Sequence, residues 1–525
     1  MLLAVFVAGA LLRVPTFCRP LLSDDEAIYA TTADALARGD LLYRDVVDHK
    51  PPLVYHVYQA GFAALGRYNT HGAHALVILS VLLAAGFLFA IARREGSANA
   101  DGAGLAAAGL FLIFSTTWHD YDALAANCEL FLLAPQAAAA WLLLRDSRGP
   151  SRGAWGLATH LSVGALIGIS ALFKYQALTF LGASIGALCW WWLLGRASRS
   201  RTAAMALCQM GGVLVPPAIY LAWCAVAGNA ADAVYWFGFN FSYVGAGLTG
   251  LAALARGFYR TGLIGGAALV PYALGISAAV AEAAGMVRVI RRRLQGAEAF
   301  DSAMPAPSAV LGLLWLSTST IALATGGRFF GHYFHLILAP LCLLAAPGFS
   351  RLWSRGFSHR VPLAVLCTLP ALFFFVLATI GRPLAVALDE SEPPYDGVAA
   401  RIAALTNPED RIFVWGNSPQ LYLLARRPMG ARFSFCNYMT GESPGTPTET
   451  GLWNADANQL PAAWDMLFAD LDRRRPALFV DAAAAGWDGY DKFPIARYPR
   501  LRAYVERNYR RAEVDAGVVL YRRLP

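Results

Sequence analysis

The stretch Ala73-His-Ala-Leu-Val-Ile-Leu-Ser-Val-Leu-Leu-Ala-Ala-Gly-Phe-Leu-Phe-Ala-Ile-Ala92, closed by Arg93-Arg94, decides how the rest of the chain is read. Its only polar members are His74 and Ser80. A helix of about twenty residues rises about 30 Å, the thickness of a bilayer's hydrocarbon core. Two arginines then mark an aqueous boundary. Working outward, comparable stretches recur at roughly 1–17, 102–117, 123–144, 155–173, 176–195, 203–227, 262–287, 307–325, 333–349 and 361–380. With 73–92 they make eleven candidate transmembrane helices. Composition agrees: 57% of residues are hydrophobic and 15% charged, against about 25% charged in soluble domains. The first span has no basic leader and no small-residue cleavage site, so it reads as a retained helix and not a secretory signal.

The connections alternate in charge. Arg93 and Arg94 follow the second span, and Arg145, Arg148 and Arg152 the fourth. Arg196, Arg199 and Arg201 follow the sixth; Arg288, Arg291, Arg292 and Arg293 follow the eighth; Arg351, Arg355 and Arg360 follow the tenth. These loops hold 15 basic against 5 acidic residues, whereas the short loops between them hold only Lys174 and Arg328. The positive-inside rule puts the arginine loops and the N-terminus in the cytoplasm. Two long loops, 18–72 and 228–261, and everything after 380 are then expected outside. Trp236, Phe237, Phe239, Phe241 and Tyr243, around Gly238, read as an interfacial aromatic segment.

Hydrophobicity stops near 380. The remaining residues carry 18 Lys+Arg and 18 Asp+Glu, so the formal +8 belongs to the membrane portion. Topology accounts for that excess, and nucleic acid is not an expected partner. Residues 381–525 read as a small soluble α/β domain beside a transmembrane domain of 1–380. Strand-like runs begin at Arg411 and Pro476, a helix candidate spans Pro499 to Tyr509, and a strand covers Gly517 to Tyr521. Only 441–450 has linker composition. Six of eight cysteines lie in apolar segments as small hydrophobes; Cys18 and Cys436 fall outside, where they could pair.

The outer segments concentrate the chemistry. Segment 18–72 holds Ser23-Asp-Asp-Glu-Ala-Ile-Tyr29, Gly39-Asp-Leu-Leu-Tyr-Arg-Asp45 and Asp48-His-Lys-Pro-Pro-Leu53. Three adjacent acids directly after a span repel one another. Asp24 or Asp25 could cap a helix running to Gly39, with Glu26 in its first turn. A carboxylate fixed there is also placed to act as a base. Of 43 basic residues only Lys50, Lys174 and Lys492 are lysines. Lys492 reads as an ordinary exposed charge. Lys50 precedes Pro51-Pro52, which restrict the backbone and so where the ammonium points. His119, Asp120 and Asp122 follow the third span, and Arg328, His332 and His335 open the tenth. Glu129 lies one to two turns inside the fourth span, where an unpaired acid is costly and a functional reading is the default.

The order Asp25-Glu-Ala-Ile-Tyr29, Gly39…Tyr43…Asp45, Lys50-Pro-Pro-Leu53, Ala126-Asn-Cys-Glu129 and Gly327-Arg-Phe-Phe-Gly-His-Tyr333 resembles the bacterial branch of the protein O-mannosyltransferase superfamily. That branch includes the lipid A aminoarabinose transferases and belongs to the GT-C glycosyltransferases. The resemblance covers most of 1–380. It implies a multi-pass enzyme of the bacterial inner membrane that takes a sugar from a polyprenyl-phosphate donor to a glycan, lipid or protein acceptor, with inversion. It makes Asp25, with Glu26, the catalytic pair, and Lys50 and Arg328 the phosphate holders. His332, Lys174, Tyr29, Asp48 and Asp122 join them as substrate-binding candidates on the same face. Aminoarabinose transferases carry an acid before the lysine; here His49 stands there, and with Glu129 it could form part of a divalent-metal site. Two other readings remain: a lipid or small-molecule transporter, which would ordinarily show repeated halves, and a polymerase or ligase using a diphosphate-linked glycan.

Overall fold

The structure, a computed structural model, describes residues 1–95, 99–117, 121–146, 154–245, 249–295, 304–387, 393–442 and 454–525. His119, Asp120, Arg148, Arg152 and most of the 441–450 linker lie outside them, as do the side chains of Phe241 and Tyr243.

Among the described residues, eight helices are long and apolar enough to cross a membrane, and three shorter apolar helices, Leu2–Cys18, Ala100–Phe114 and Gly156–Ala171, join them. Together they match the eleven expected spans one for one. The chain divides into two compact units. One comprises Met1–Cys18, His74–Ala222 and Thr249–Ile380; the other comprises Arg19–Ala73, Trp223–Leu248 and Gly381–Pro525.

In the helical unit, His335–Ser354 packs on Leu269–Leu294, Ala100–Phe114 and Pro307–Ala324. Its span is 67% buried, as is Cys128–Arg145, whereas Arg199–Ala227, Leu269–Leu294 and Phe357–Gly381 are each 22% buried. The first two are therefore the interior helices. The others turn Leu214, Ile219, Leu369 and Phe373 outward, as lipid-facing surface requires. Small residues bring backbones together: a Cβ on Gly275 would stand 2.7 Å from the Leu341 carbonyl oxygen.

The second unit carries a four-stranded sheet of order β1-β2-β4-β3, with β1 Ile412–Trp415, β2 Leu478–Asp481, β3 Tyr509–Asp515 and β4 Val518–Arg523. β1 and β2 are parallel, pairing Ile412 with Leu478 and Trp415 with Asp481, and every residue of both is buried. A parallel pair covered on both faces reads as a continuous apolar run. The sequence reading missed β3, because Tyr-Arg-Arg-Ala-Glu-Val-Asp is charged throughout, as suits an exposed edge.

Segment 228–261 is not a loop. It forms the helices Ala230–Gly245 and Gly250–Ala267. The helix opened by the acids spans Asp24–Ala37, but its cap is Ser23, whose Oγ accepts from Glu26 N at 3.3 Å. All three carboxylates thus fall in the first turn, where the helix dipole favours negative charge. Cys18 and Cys436 are separate thiols, not a bridge. Asp24–Ala37 packs on Leu53–Leu65 and on the short helix Gln420–Leu424, so the acidic segment and the C-terminal residues share one core.

Candidate functional site

Two polar clusters stand out, one in each unit. In the sheet-bearing unit, the turn Asp24-Asp25-Glu26 gives each acid a different partner. Lys50 Nζ donates to Asp25 Oδ1 at 2.6 Å, and the Tyr29 hydroxyl donates to Asp25 Oδ2 at 3.2 Å. The same ammonium lies 4.7 Å from the centre of the Tyr29 ring, whose face attracts a cation. Glu26 is fully buried; it accepts from Leu22 N at 2.6 Å and from the Tyr58 hydroxyl at 3.2 Å. Asp24 is exposed and accepts from Gln420 Nε2 at 2.6 Å.

Lys50 is aimed by its neighbours. The Tyr43 hydroxyl donates to its carbonyl at 2.8 Å, and Pro52 caps the helix Leu53–Leu65 that follows. One residue earlier, Asn240 Nδ2 donates to the His49 carbonyl at 3.1 Å, and the His49 ring lies between Asp48 Oδ1 at 3.0 Å and the Tyr438 hydroxyl at 3.4 Å. Asp48 also accepts from His49 N at 2.7 Å and from the Tyr55 hydroxyl at 2.7 Å. Burial alone would raise the Asp48 carboxyl, but the charges of His49 and Lys50 and these hydrogen bonds outweigh it. They hold it well below the usual carboxylate range. Asp48 is therefore a fixed anion that braces the His49-Lys50 backbone.

In the helical unit, Glu129 opens the helix Cys128–Asp146 and is 1% exposed. It pairs with Lys174, whose ammonium sits 3.9 Å from the centre of the Tyr333 ring. His332 Nδ1 lies 2.6 Å from Asp122 Oδ2, and its Nε2 lies 3.9 Å from Glu129 Oε1. Asn127 Nδ2 holds the other Asp122 oxygen at 3.1 Å. The result is one chain, Asp122–His332–Glu129–Lys174, buried at His332 and Glu129 and half-buried at its two ends, alternating carboxylate with cation-capable groups. Arg328 is 2% exposed in the turn before Gly331–Phe334.

Sequence reasoning missed two features of this unit. Arg13, fully buried at the end of the first span, donates to the Ser115 carbonyl at 3.0 Å and the Ala123 carbonyl at 3.3 Å. It ties down both ends of the segment that leads to Asp122. An arginine closing an otherwise apolar helix was the available signal. The second is a group of like charges. Burial lowers the basicity of Arg256, in the helix Gly250–Ala267, and the nearby charges of Arg260 and Arg328 push it the same way. Like charges gathered in this way favour an anion beside them. Reading 228–261 as a loop hid this group.

Of the two metal candidates, His49 faces Asp48 and Tyr438, and Glu129 faces Lys174 and His332. Among the described residues, no three His, Cys, Asp or Glu side chains come together to hold an ion.

The fold is the GT-C fold, in which a bundle of membrane helices carries a smaller polar domain. Over 99% of its length the chain superposes on ArnT from Cupriavidus metallidurans bound to undecaprenyl phosphate, at TM-score 0.60 and 16% identity, covering 97% of that chain. The archaeal oligosaccharyltransferase AglB from Archaeoglobus fulgidus, in complex with an inhibitory peptide and a dolichol-phosphate, aligns with 100% of this chain and 74% of its own at TM-score 0.53 and 14% identity. The Archaeoglobus fulgidus oligosaccharyltransferase in complex with Zn and sulfate aligns at TM-score 0.52 and 14% identity, over 99% of this chain and 73% of that one. No family model and no curated protein matches the sequence.

Proposed function

We propose that the protein is an inverting membrane glycosyltransferase that moves a sugar from a polyprenyl-phosphate donor to an acceptor hydroxyl on the extracytoplasmic face. The observation that carries this reading is the Asp25–Lys50–Tyr29 arrangement: a carboxylate at a helix start, held by an ammonium that a phosphate can claim. The donor phosphate competes with Asp25 for Lys50. Losing Lys50 raises the basicity of Asp25 at the moment the donor is bound. Asp25 then takes the acceptor's hydroxyl proton while the acceptor oxygen forms a bond to the anomeric carbon from the face opposite the leaving group. The bond from that carbon to the phosphate oxygen breaks, and its electron pair leaves on the polyprenyl phosphate, where cations stabilise the charge.

Within this reading Glu26 fixes the helix start and does not itself transfer a proton. Asp48 braces Lys50, and the chain Asp122–His332–Glu129–Lys174 fixes the turns that carry Asp122 and His332. The relatives' lipid ligands support a polyprenyl-phosphate partner for this chain as well. The arginine loops support an N-terminus in the cytoplasm of a bacterial inner membrane.

The test is Asp25→Asn, which keeps the shape and removes the proton acceptor. Transfer from undecaprenyl-phosphate-linked sugars should fall about 10²- to 10⁴-fold, with the affinity for undecaprenyl phosphate retained. Full transfer by the Asn variant would remove Asp25 from the reaction.

A further inference from the structure

The residues from 381 onward carry no motif, yet one of them reaches the acidic turn. Gln420 is the first residue of the short helix after β1, and it is 6% exposed. Its place is set on three sides. Val414 N in β1 donates to the Tyr422 hydroxyl at 2.8 Å, and Leu421 N donates to the Ser418 carbonyl at 3.2 Å. Between strand and helix, Gly416 adopts φ +143, a conformation that L side chains rarely take, and its N–H donates to Cys436 Sγ at 3.3 Å. From this fixed base Nε2 donates to Asp24 Oδ1 at 2.6 Å. The amide orientation is dictated chemically, since only the NH₂ end can face a carboxylate. Its Oε1 is buried with no hydrogen-bond partner among the described residues.

That orphan oxygen is informative. A buried acceptor left unsatisfied is costly, and a residue chosen only to fill space would be apolar. What Gln420 supplies is a hydrogen-bond donor. Leu22 N and Tyr58 hold Glu26, Lys50 and Tyr29 hold Asp25, and Gln420 holds Asp24. The Gln420 amide thus orients the Asp24 carboxylate from the C-terminal side of the sequence.

We infer that Gln420 is a positioning residue of the transfer site: by tethering Asp24 it sets the geometry of the turn and leaves Asp25 as the carboxylate that meets the acceptor. The inference rests on the function proposed above. It gives the C-terminal residues a direct part in turnover, separate from any role in docking or shielding.

The test uses the full-length protein in nanodiscs with Gln420→Leu and Gln420→Glu. Three quantities are followed: transfer from undecaprenyl-phosphate-linked sugars between pH 5 and pH 8, affinity for undecaprenyl phosphate, and amide exchange in residues 24–27. Gln420→Leu should lower kcat roughly tenfold or more, with lipid affinity within about twofold, because a small misplacement of reacting groups is costly. Gln420→Glu should be as impaired at pH 7.5, where two carboxylates oppose each other. It should recover towards pH 5, because a protonated Glu donates a hydrogen bond as the amide does. A merely structural role would not produce that acid rescue. Wild-type kcat in both variants, or a Gln420→Glu profile parallel to the wild type, would overturn the inference. Asp25→Asn run alongside separates the two readings. If it is inactive while both Gln420 variants match the wild type, only the Gln420 role falls. If it is fully active, the proposed transfer site falls, whatever residues 24–27 show in exchange.

Discussion

Lys50 Nζ and Asp25 Oδ1 lie 2.6 Å apart, joined across 25 residues of sequence, and Tyr29 touches both partners. The pair is partly buried, with side-chain exposures of 15% and 25%, so it is neither a screened surface contact nor a sealed internal one. In the proposed reaction a donor phosphate would exchange with Asp25 for this ammonium, and partial burial makes that exchange count.

Replacing Lys50 should therefore weaken lipid binding. Lys50→Ala is expected to lose at least about tenfold in affinity for undecaprenyl phosphate, which is roughly 1.4 kcal/mol. Lys50→Arg should also be strongly impaired, because a planar fork does not reproduce a compact ammonium between Asp25 and the Tyr29 ring. Titration of the lipid into nanodiscs bearing each variant reads this directly. Unchanged affinity in Lys50→Ala would move the phosphate to the arginine group.

The buried pair of Glu129 and Lys174 should behave differently, as a stability element. Removing one partner leaves an uncompensated charge, and Glu129→Ala is expected to cost about 3–5 kcal/mol. The double change Glu129→Leu with Lys174→Met should recover most of that loss, as measured by thermal unfolding in detergent. A double variant as unstable as the single one would show that His332 and Asp122 depend on Glu129 more than Lys174 does.

Asp481 provides a pH signature of the sheet-bearing unit. Burial pushes its carboxyl up to about 6, only partly opposed by hydrogen bonds from the backbone N–H groups of Ala484 and Ala483. An acid whose folded value is raised holds its proton longer folded than unfolded, so folding is favoured below about pH 4. That advantage is lost as pH rises through about 6. Asp481→Asn should flatten this slope. It should stabilise the protein at pH 7.5 by on the order of 1–3 kcal/mol, with little effect at pH 4. Melting curves of both forms across pH 4 to 8 check the sign.

Orientation can be read with reporters. An alkaline phosphatase fused after residue 393 should be active and a cytoplasmic reporter at the same place silent, if the arginine loops face the cytoplasm as the positive-inside rule expects. The reverse result would place Asp25 and Lys50 in the cytoplasm, away from a lipid-linked donor.

Much of this was legible before any coordinates. Each apolar run between arginine loops became a helix, since a bilayer leaves the backbone few alternatives. The acids of 24–26 and Lys50 were visible as a motif, although their meeting at one carboxylate was not. Ser23 was overlooked as the cap because the acids beside it draw the eye as capping residues themselves. Arg256 and Arg260 were lost when an amphipathic helix was read as a loop. Gln420 was beyond reach altogether: it stands 396 residues from Asp24, and no local periodicity or spacing encodes a contact that the tertiary fold creates.

The sheet-bearing unit is stitched from three separated lengths of chain, and this fixes the order in which it can mature. The helix Asp24–Ala37 leaves the ribosome long before β1 and Gln420 exist. At about 5–20 residues per second, roughly half a minute of synthesis separates them. During that interval the intervening spans must enter the bilayer while the acidic turn waits without its core. Slow synthesis or a stalled insertion therefore prolongs the time that the early helix spends without the residues it packs against.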